Sequence, residues 1–285
     1  MMKQNPKSAL LIAGPTASGK SALAMAEARA RNGVIINADS MQVYSDLRLL
    51  TARPSSADEA EVPHCLYGHV SGAENYSVAR WLSDVKTEMQ RCWGAGQLPI
   101  ICGGTGLYFK AALEGLAEVP AIDPALREKW RGFEGDVHVA LQNLDHAMAT
   151  RLNPADRQRI VRALEVVEGT GHSLLHWQSL GQAGALLNQI NVERVFVQVS
   201  REELHSRAEW RFDAMMQQGA LDEVRLLPAY NPAQPIMKAI GVPELMAHLR
   251  GEVTRDEATT RAKAATRHYI KRQTTWWRGQ MTGWF

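Results

Sequence analysis

Residues Ala9-Leu-Leu-Ile-Ala13 form a continuous apolar run, and Gly14-Pro-Thr-Ala-Ser-Gly-Lys-Ser21 follows directly. A short apolar run ended by Gly-Pro reads as a strand buried on both faces, as in a parallel sheet covered by helices. Ser21 to Ala30 is rich in Ala, Leu, Met and Glu, so a helix should begin where the glycine-rich segment ends, and Asn32-Gly33 should stop it. A second apolar run, Val34-Ile-Ile36, completes a strand, helix, strand unit.

The segment between strand and helix matches G-x-x-x-x-G-K-[ST]. Gly14, Pro15, Thr16, Ala17, Ser18 and Gly19 would turn backbone N–H groups inward around phosphate oxygens, helped by the helix N-terminus. Lys20 would add a point charge, and Ser21 a hydroxyl suited to Mg²⁺. A phosphorylated ligand is therefore expected. Most such loops bind ATP or GTP, so a small-molecule kinase is one reading.

Two further strand ends carry polar or glycine clusters. After Val34-Ile-Ile36 comes Asp39-Ser40-Met41-Gln42-Val43-Tyr44, where Asp39 fits a metal ligand, a helix cap or a base facing a second substrate. The run Leu98 to Cys102 ends in Gly103-Gly104-Thr105-Gly106-Leu107-Tyr108, after a helix expected over Val78 to Trp93. In open α/β sheets ligands bind at this carboxyl edge.

The next apolar run, Val195 to Val199, comes only after a long helical block with breaks at Pro120, Pro124 and Pro154 and helices over Leu141 to Leu152 and Arg157 to Glu168. Single helices normally separate parallel strands, so this block reads as an insertion. The expected division is a catalytic core of residues 1–115 and 190–285 interrupted by a helical domain of residues 116–189. Helices should follow over Glu202 to Gln218, Leu221 to Leu227, Val242 to Arg250 and Arg255 to Arg278.

Charge is uneven along the chain. The net charge is +2, yet Ala258 to Phe285 holds no carboxylate side chain and six cations, which leaves residues 1–257 at −4. Lys263, Arg267 and Lys271 recur every fourth residue and would share one helix face, with Trp276 and Trp277 available for stacking. The three cysteines lack metal or disulfide spacing, and no apolar run is long enough for a signal core or a membrane span, so a cytoplasmic protein without a membrane partner is expected.

In order along the chain, these motifs resemble those of the tRNA dimethylallyltransferase family. The glycine-rich loop, Asp39 to Tyr44, Thr51-Ala-Arg-Pro54, Pro63-His-Cys-Leu66, Tyr76-Ser77 and Gly103 to Tyr108 carry the match in the first half. Gln158-Arg-Ile-Val-Arg162-Ala-Leu-Glu165 and Thr266-Arg-His-Tyr-Ile-Lys-Arg-Gln273 with Thr275-Trp276 carry it in the second. Arg53 replaces the family's usual Lys, Leu50 stands where a Gly is common, and Gly241-Val242-Pro243-Glu244 lacks an aromatic and a basic side chain that the family commonly has.

The resemblance implies a P-loop α/β core that binds dimethylallyl diphosphate rather than ATP. It also implies transfer of the dimethylallyl group to the exocyclic N6 amine of the adenosine 3′ to the tRNA anticodon. Lys20, Arg211 and Mg²⁺ held partly by Ser21 would stabilise the leaving diphosphate. Asp39 would take the amine proton, and Thr105 would orient base or substrate. Contacts to the anticodon stem-loop are implied for Asp39, Ser40, Met41, Gln42 and Thr105, and for Arg127, Gln158, Arg159, Ile160, Val161 and Arg162 in the insertion. The terminal face of Lys263, Arg267 and Lys271 would add phosphate contacts, with a monomer as the acting species.

Overall fold

The computed structural model describes residues 7–180, 184–188 and 190–284. Two compact units emerge: Met1–Leu113 with Leu186–Phe285, and Glu114–Ala185. The second begins slightly before the expected 116 and ends before 189, which itself lies outside the described residues. Leu187 explains the early end: it is buried in the core of the first unit, and its N–H donates to the carbonyl of Ala112 at 3.2 Å.

In the first unit β1 (Ser8–Ala13), β2 (Gly33–Asn37), β3 (His64–Cys65), β4 (Leu98–Gly103) and β5 (Asn191–Phe196) pair in parallel in the order β3-β2-β4-β1-β5. Leu10 pairs with Ile100 and Ile35 with Ile100 on its other side, so the three apolar runs lie adjacent. They are buried on both faces. Helices α1 (Lys20–Arg31), α2 (Ser56–Glu61), α3 (Val78–Gly94) and α4 (Gly106–Glu114) intersperse with them. One sheet face packs Leu11, Ile36 and Ile101 with Trp81, Phe109 and Trp277, and the other packs Leu10, Ile12, Ile35 and Ile100 against Ala24 and Ala28 of α1.

The last strand starts four residues earlier than Val195, because β5 is an edge strand. Edge strands need only one paired side, so Asn191, Glu193 and Arg194 are tolerated, and no apolar run announces the strand. Glu193 accepts from Arg31 of α1 at 2.8 Å on this edge. Strand β3 has two residues, too few to leave a pattern.

The second unit comprises α5 (Pro124–Arg131), α6 (Val137–Leu144), α7 (His146–Arg151), α8 (Arg157–Thr170) and α9 (Leu174–Ser179) around Trp130, Leu141, Met148, Ile160 and Leu164. The helix expected over Leu141 to Leu152 is two helices. Asp145 breaks it, ending α6 through its N–H and capping α7 by accepting from the Met148 N–H at 3.0 Å.

The first unit ends in α10 (Arg201–Gln217), α11 (Ala220–Arg225), α12 (Val242–Leu249) and α13 (Arg255–Gln280). Val242 is wholly buried here, so the position that lacks the family's aromatic is a core position in this chain. Among the described residues no helix is long and apolar enough to cross a membrane.

Candidate active site

All the residues of this site belong to the first unit. The carboxyl ends of β1, β4 and β2 are neighbours, which brings the three motifs side by side. After β1 the chain turns through left-handed positions at Ala17 (φ 65°) and Gly19 (φ 92°) before α1 begins. Such alternation directs successive N–H groups to one concavity. Gly14 cannot gain a side chain, since a Cβ would lie 2.8 Å from Ser18 Oγ and 3.1 Å from the Val197 carbonyl. Ser18 Oγ is itself buried and has no hydrogen-bond partner among the described residues.

Two cations face this loop. Lys20 Nζ donates to the Pro15 carbonyl at 3.3 Å, and Arg211 on α10 donates from Nη2 to Thr16 Oγ1 at 2.7 Å. Burial lowers the pKa of both, and the nearby Asp39 opposes the shift in each. Among the described residues neither has a carboxylate within ion-pair distance, so two desolvated positive charges share one concave site with the more distant Asp39 carboxylate acting on both. Charges are kept this way only where an anion completes them. Arg207, one turn before Arg211, reaches the Ser18 carbonyl at 3.5 Å and pairs with Glu203.

Asp39 follows β2. Its N–H donates to Asn37 Oδ1 at 2.8 Å, and its Oδ1 accepts from the Met41 N–H at 3.0 Å, a local turn with no helix behind it. The helix-cap reading therefore fails. Asp39 Oδ2 has no partner among the described residues and would lie 3.7 Å from a Cβ placed on Gly104. Asn37 is fully buried, donates to the Asp39 and Leu66 carbonyls, and its own carbonyl accepts from Trp81 Nε1 at 2.7 Å. Thr105 Oγ1 accepts from the Ser40 N–H at 2.9 Å, tying the end of β4 to the Asp39 loop. Gly103 allows this approach, because a Cβ would come 2.1 Å from the Ala38 carbonyl oxygen.

Gln42 uses its amide nitrogen internally, donating to the carbonyls of Thr51 and Ala52 at 2.8 and 2.9 Å. Arg53 likewise donates to the carbonyls of Tyr44 and Ser45. Met41 is half-buried beside them.

Structure corrects several surface expectations. Ile160 and Val161 are buried in the core of the helical unit, at 0% and 8% exposure, so their side chains serve packing rather than an RNA-facing surface. On the same helix Gln158 and Arg159 are exposed, with Arg159 paired to Asp156 and Arg162 to Glu165. Arg127 is half-buried with its Nε unpartnered. On α13 Lys263 pairs with Asp213 at 2.7 Å and Arg267 pairs with Glu209, both from α10, so that much of the basic face is an interhelical seam. Lys271 is exposed and has no partner among the described residues. Trp277 is wholly buried in the core, and Trp276 packs over Gly106, so neither tryptophan is a free stacking surface.

Two groups escaped the site assignment. Gln273 accepts from the Thr16 N–H at 2.9 Å and donates to the Gly104 carbonyl at 3.0 Å. Tyr269, one turn earlier, is near enough to Asp39 that burial and this carboxylate together raise its pKa. Both lie in the terminal basic motif, at uncharged positions between the cations, where neither charge nor spacing marks them.

A five-stranded parallel sheet whose first strand runs into a phosphate loop, with an acid at the neighbouring strand end, is a P-loop α/β fold. The comparisons narrow this. The model of the family described as IPP transferase matches residues 42–280, and one described as isopentenyl transferase matches residues 7–64. A tRNA dimethylallyltransferase of Rhodopseudomonas palustris is 53% identical over 281 residues, covering 96% of this chain and 88% of its own. One of Methylobacterium nodulans is 52% identical over 280 residues, covering 96% and 92%. Among solved structures, a eukaryotic dimethylallyltransferase acting on tRNA superposes with a TM-score of 0.80 at 26% identity, covering 95% of this chain and 70% of its own. The tRNA isopentenylpyrophosphate transferase of Staphylococcus epidermidis gives 0.66 at 29% identity, covering 97% and 91%. The chain belongs to the IPP transferase family.

Proposed function

We propose that this chain transfers a dimethylallyl group from dimethylallyl diphosphate to the exocyclic N6 amine of the adenosine 3′ to the anticodon in tRNA. One observation carries the chemistry: Lys20 and Arg211 stand desolvated over the phosphate loop with no ion-pair partner among the described residues, while the free oxygen of the nearby Asp39 faces the adjacent strand end. The relatives' names supply the substrate class and give the kinase alternative no support.

The allylic C–O bond breaks with its electron pair leaving on the diphosphate, and the amine nitrogen forms the new C–N bond. Charge grows on the departing oxygens, where the loop N–H groups, Lys20 and Arg211 stabilise it. The adenine amine is a weak nucleophile because its lone pair is delocalised into the ring, so removal of its proton by Asp39 Oδ2 assists attack. Thr105, bonded to the Ser40 N–H, holds the Asp39 loop in register.

Ser21, exposed on the first turn of α1, offers a hard oxygen with no hydrogen-bond partner among the described residues, and this hydroxyl would hold a magnesium ion whose remaining ligands would be water and phosphate. When bound, the ion would neutralise leaving-group charge.

The target adenosine has to leave the loop stack to reach this site. Ser40, Met41 and Gln42 beside Asp39, together with Arg127, Gln158, Arg159 and Arg162 of the helical unit and Lys271 of α13, are the RNA contacts of this reading, with Lys263 and Arg267 contributing only where RNA displaces their partners. In this reading the protein acts in the cytoplasm as a monomer, each chain supplying its own residues for both substrates. Mass analysis of nucleosides from unmodified tRNA treated with the protein, Mg²⁺ and dimethylallyl diphosphate tests the reading, and absence of prenylated adenosine refutes it.

A further inference from the structure

We propose that Gln273 is a positioning residue whose carboxamide ties the phosphate loop to the end of β4 and so sets the reach between the diphosphate and the adenine amine. The proposal rests on the transfer reading above.

Gln273 is 6% exposed and comes from α13, the helix that also carries the terminal cations. Its Oε1 accepts from the Thr16 N–H at 2.9 Å, and its Nε2 donates to the Gly104 carbonyl at 3.0 Å. Each partner adjoins one half of the reaction. Thr16 Oγ1 accepts from Arg211, on the diphosphate side. Gly104 precedes Thr105, whose hydroxyl holds the Ser40 N–H, and faces the free oxygen of Asp39 on the amine side. A path of hydrogen bonds joined by the backbone of Thr16 and of Gly104-Thr105 therefore runs from the leaving-group cation to the loop of the base, and the Gln273 side chain links its two halves.

The amide is specific to this task. One planar group must accept on one side and donate on the other, which an ionised carboxylate cannot do and a hydrocarbon cannot begin to do. Gly104 is shaped around it, since a Cβ there would lie 2.5 Å from Nε2. Misplacing two reacting groups by about 1 Å is enough to cost on the order of 100-fold in rate.

Gln273→Glu and Gln273→Met test this in full-length protein with unmodified tRNA, Mg²⁺ and dimethylallyl diphosphate. Thermal unfolding establishes that each variant is folded. At pH 8 both should lose about 10- to 100-fold in kcat, with the KM for either substrate changed far less. The two should then part company with pH. A protonated carboxyl restores one acceptor and one donor, so the kcat of Gln273→Glu relative to wild type should rise about tenfold between pH 8 and pH 6. The relative kcat of Gln273→Met should stay flat. Tyr269, which hydrogen-bonds Gln273, and the nearby Asp39, Arg211 and Arg272 are common to all three proteins, so division by wild type removes the titration they share, and the uncharged Gln273→Met controls for loss of the amide.

Wild-type-like kcat in both variants overturns the proposal. So does a loss whose ratio to wild type is flat with pH in both, which marks a packing role alone. No prenylated adenosine from wild type overturns the transfer reading and this proposal together, whereas product from wild type with a flat ratio overturns this proposal alone.

Discussion

The strand-end site and the basic helices hold positive charge in opposite ways. At the phosphate loop Lys20 and Arg211 are desolvated and have no carboxylate within ion-pair distance among the described residues. On α8 and α13, Arg159, Arg162, Lys263 and Arg267 are at least partly exposed, and each already has an acid beside it. The first arrangement is unfavourable until an anion arrives, so it marks a ligand site. The second is close to neutral in energy and marks a surface, where each charge is worth little alone.

That contrast orders the expected effects of substitution. Asp39→Ala should reduce kcat by about 10³-fold, in the range for loss of a positioned base, with little change in the Kd for tRNA. Equal loss of binding and turnover would make Asp39 a binding residue instead. Ile160→Ala should destabilise the helical unit by about 2–5 kcal/mol, as for other buried aliphatic truncations, and shift its thermal unfolding. A normal unfolding curve with weakened tRNA binding would return Ile160 to the RNA surface.

Arg211→Ala should lower kcat/KM for dimethylallyl diphosphate by about 10²-fold, the scale of removing one charge-stabilising donor. Smaller effects belong to the helices. Lys271→Ala should weaken tRNA binding several-fold and reduce the slope of log affinity against log salt by about 1. Lys263→Ala and Arg267→Ala should change that slope less, and cost about 0–1 kcal/mol in stability, because their cations are engaged with Asp213 and Glu209. Equal slopes for Lys271→Ala and Lys263→Ala would erase the distinction between paired and free cations.

The fold was legible where burial was two-sided. β1, β2 and β4 are apolar runs because helices cover both their faces, and the phosphate loop sits at a strand end that the pattern itself specifies. The apolar pattern places β5 four residues late because a partly exposed edge strand needs no apolar run. The helix over Leu141 to Leu152 was read as continuous because Asp145 breaks it through its backbone and its cap, which hydrophobic spacing does not register.

In the site, Lys20, Asp39 and Thr105 could be named from local motifs, but their juxtaposition depends on strand order, which the sequence leaves open. Arg211 needed the family resemblance. Gln273 was hidden because its partners, Thr16 and Gly104, lie 257 and 169 residues away and use backbone atoms. The tRNA residues were least legible: a segment such as Gln158 to Arg162 presents alternate faces, so Ile160 and Val161 pack inward while Gln158 and Arg159 remain outside.

Transfer from a diphosphate bound by the phosphate loop to a tRNA adenosine is the central claim. It is tested most directly by incubating the protein and Mg²⁺ with unmodified tRNA and either dimethylallyl diphosphate or ATP, then digesting the RNA and weighing its nucleosides. Prenylated adenosine should form with dimethylallyl diphosphate alone, and Asp39→Ala should all but abolish it. Unmodified adenosine in every reaction of the wild-type protein would contradict the account.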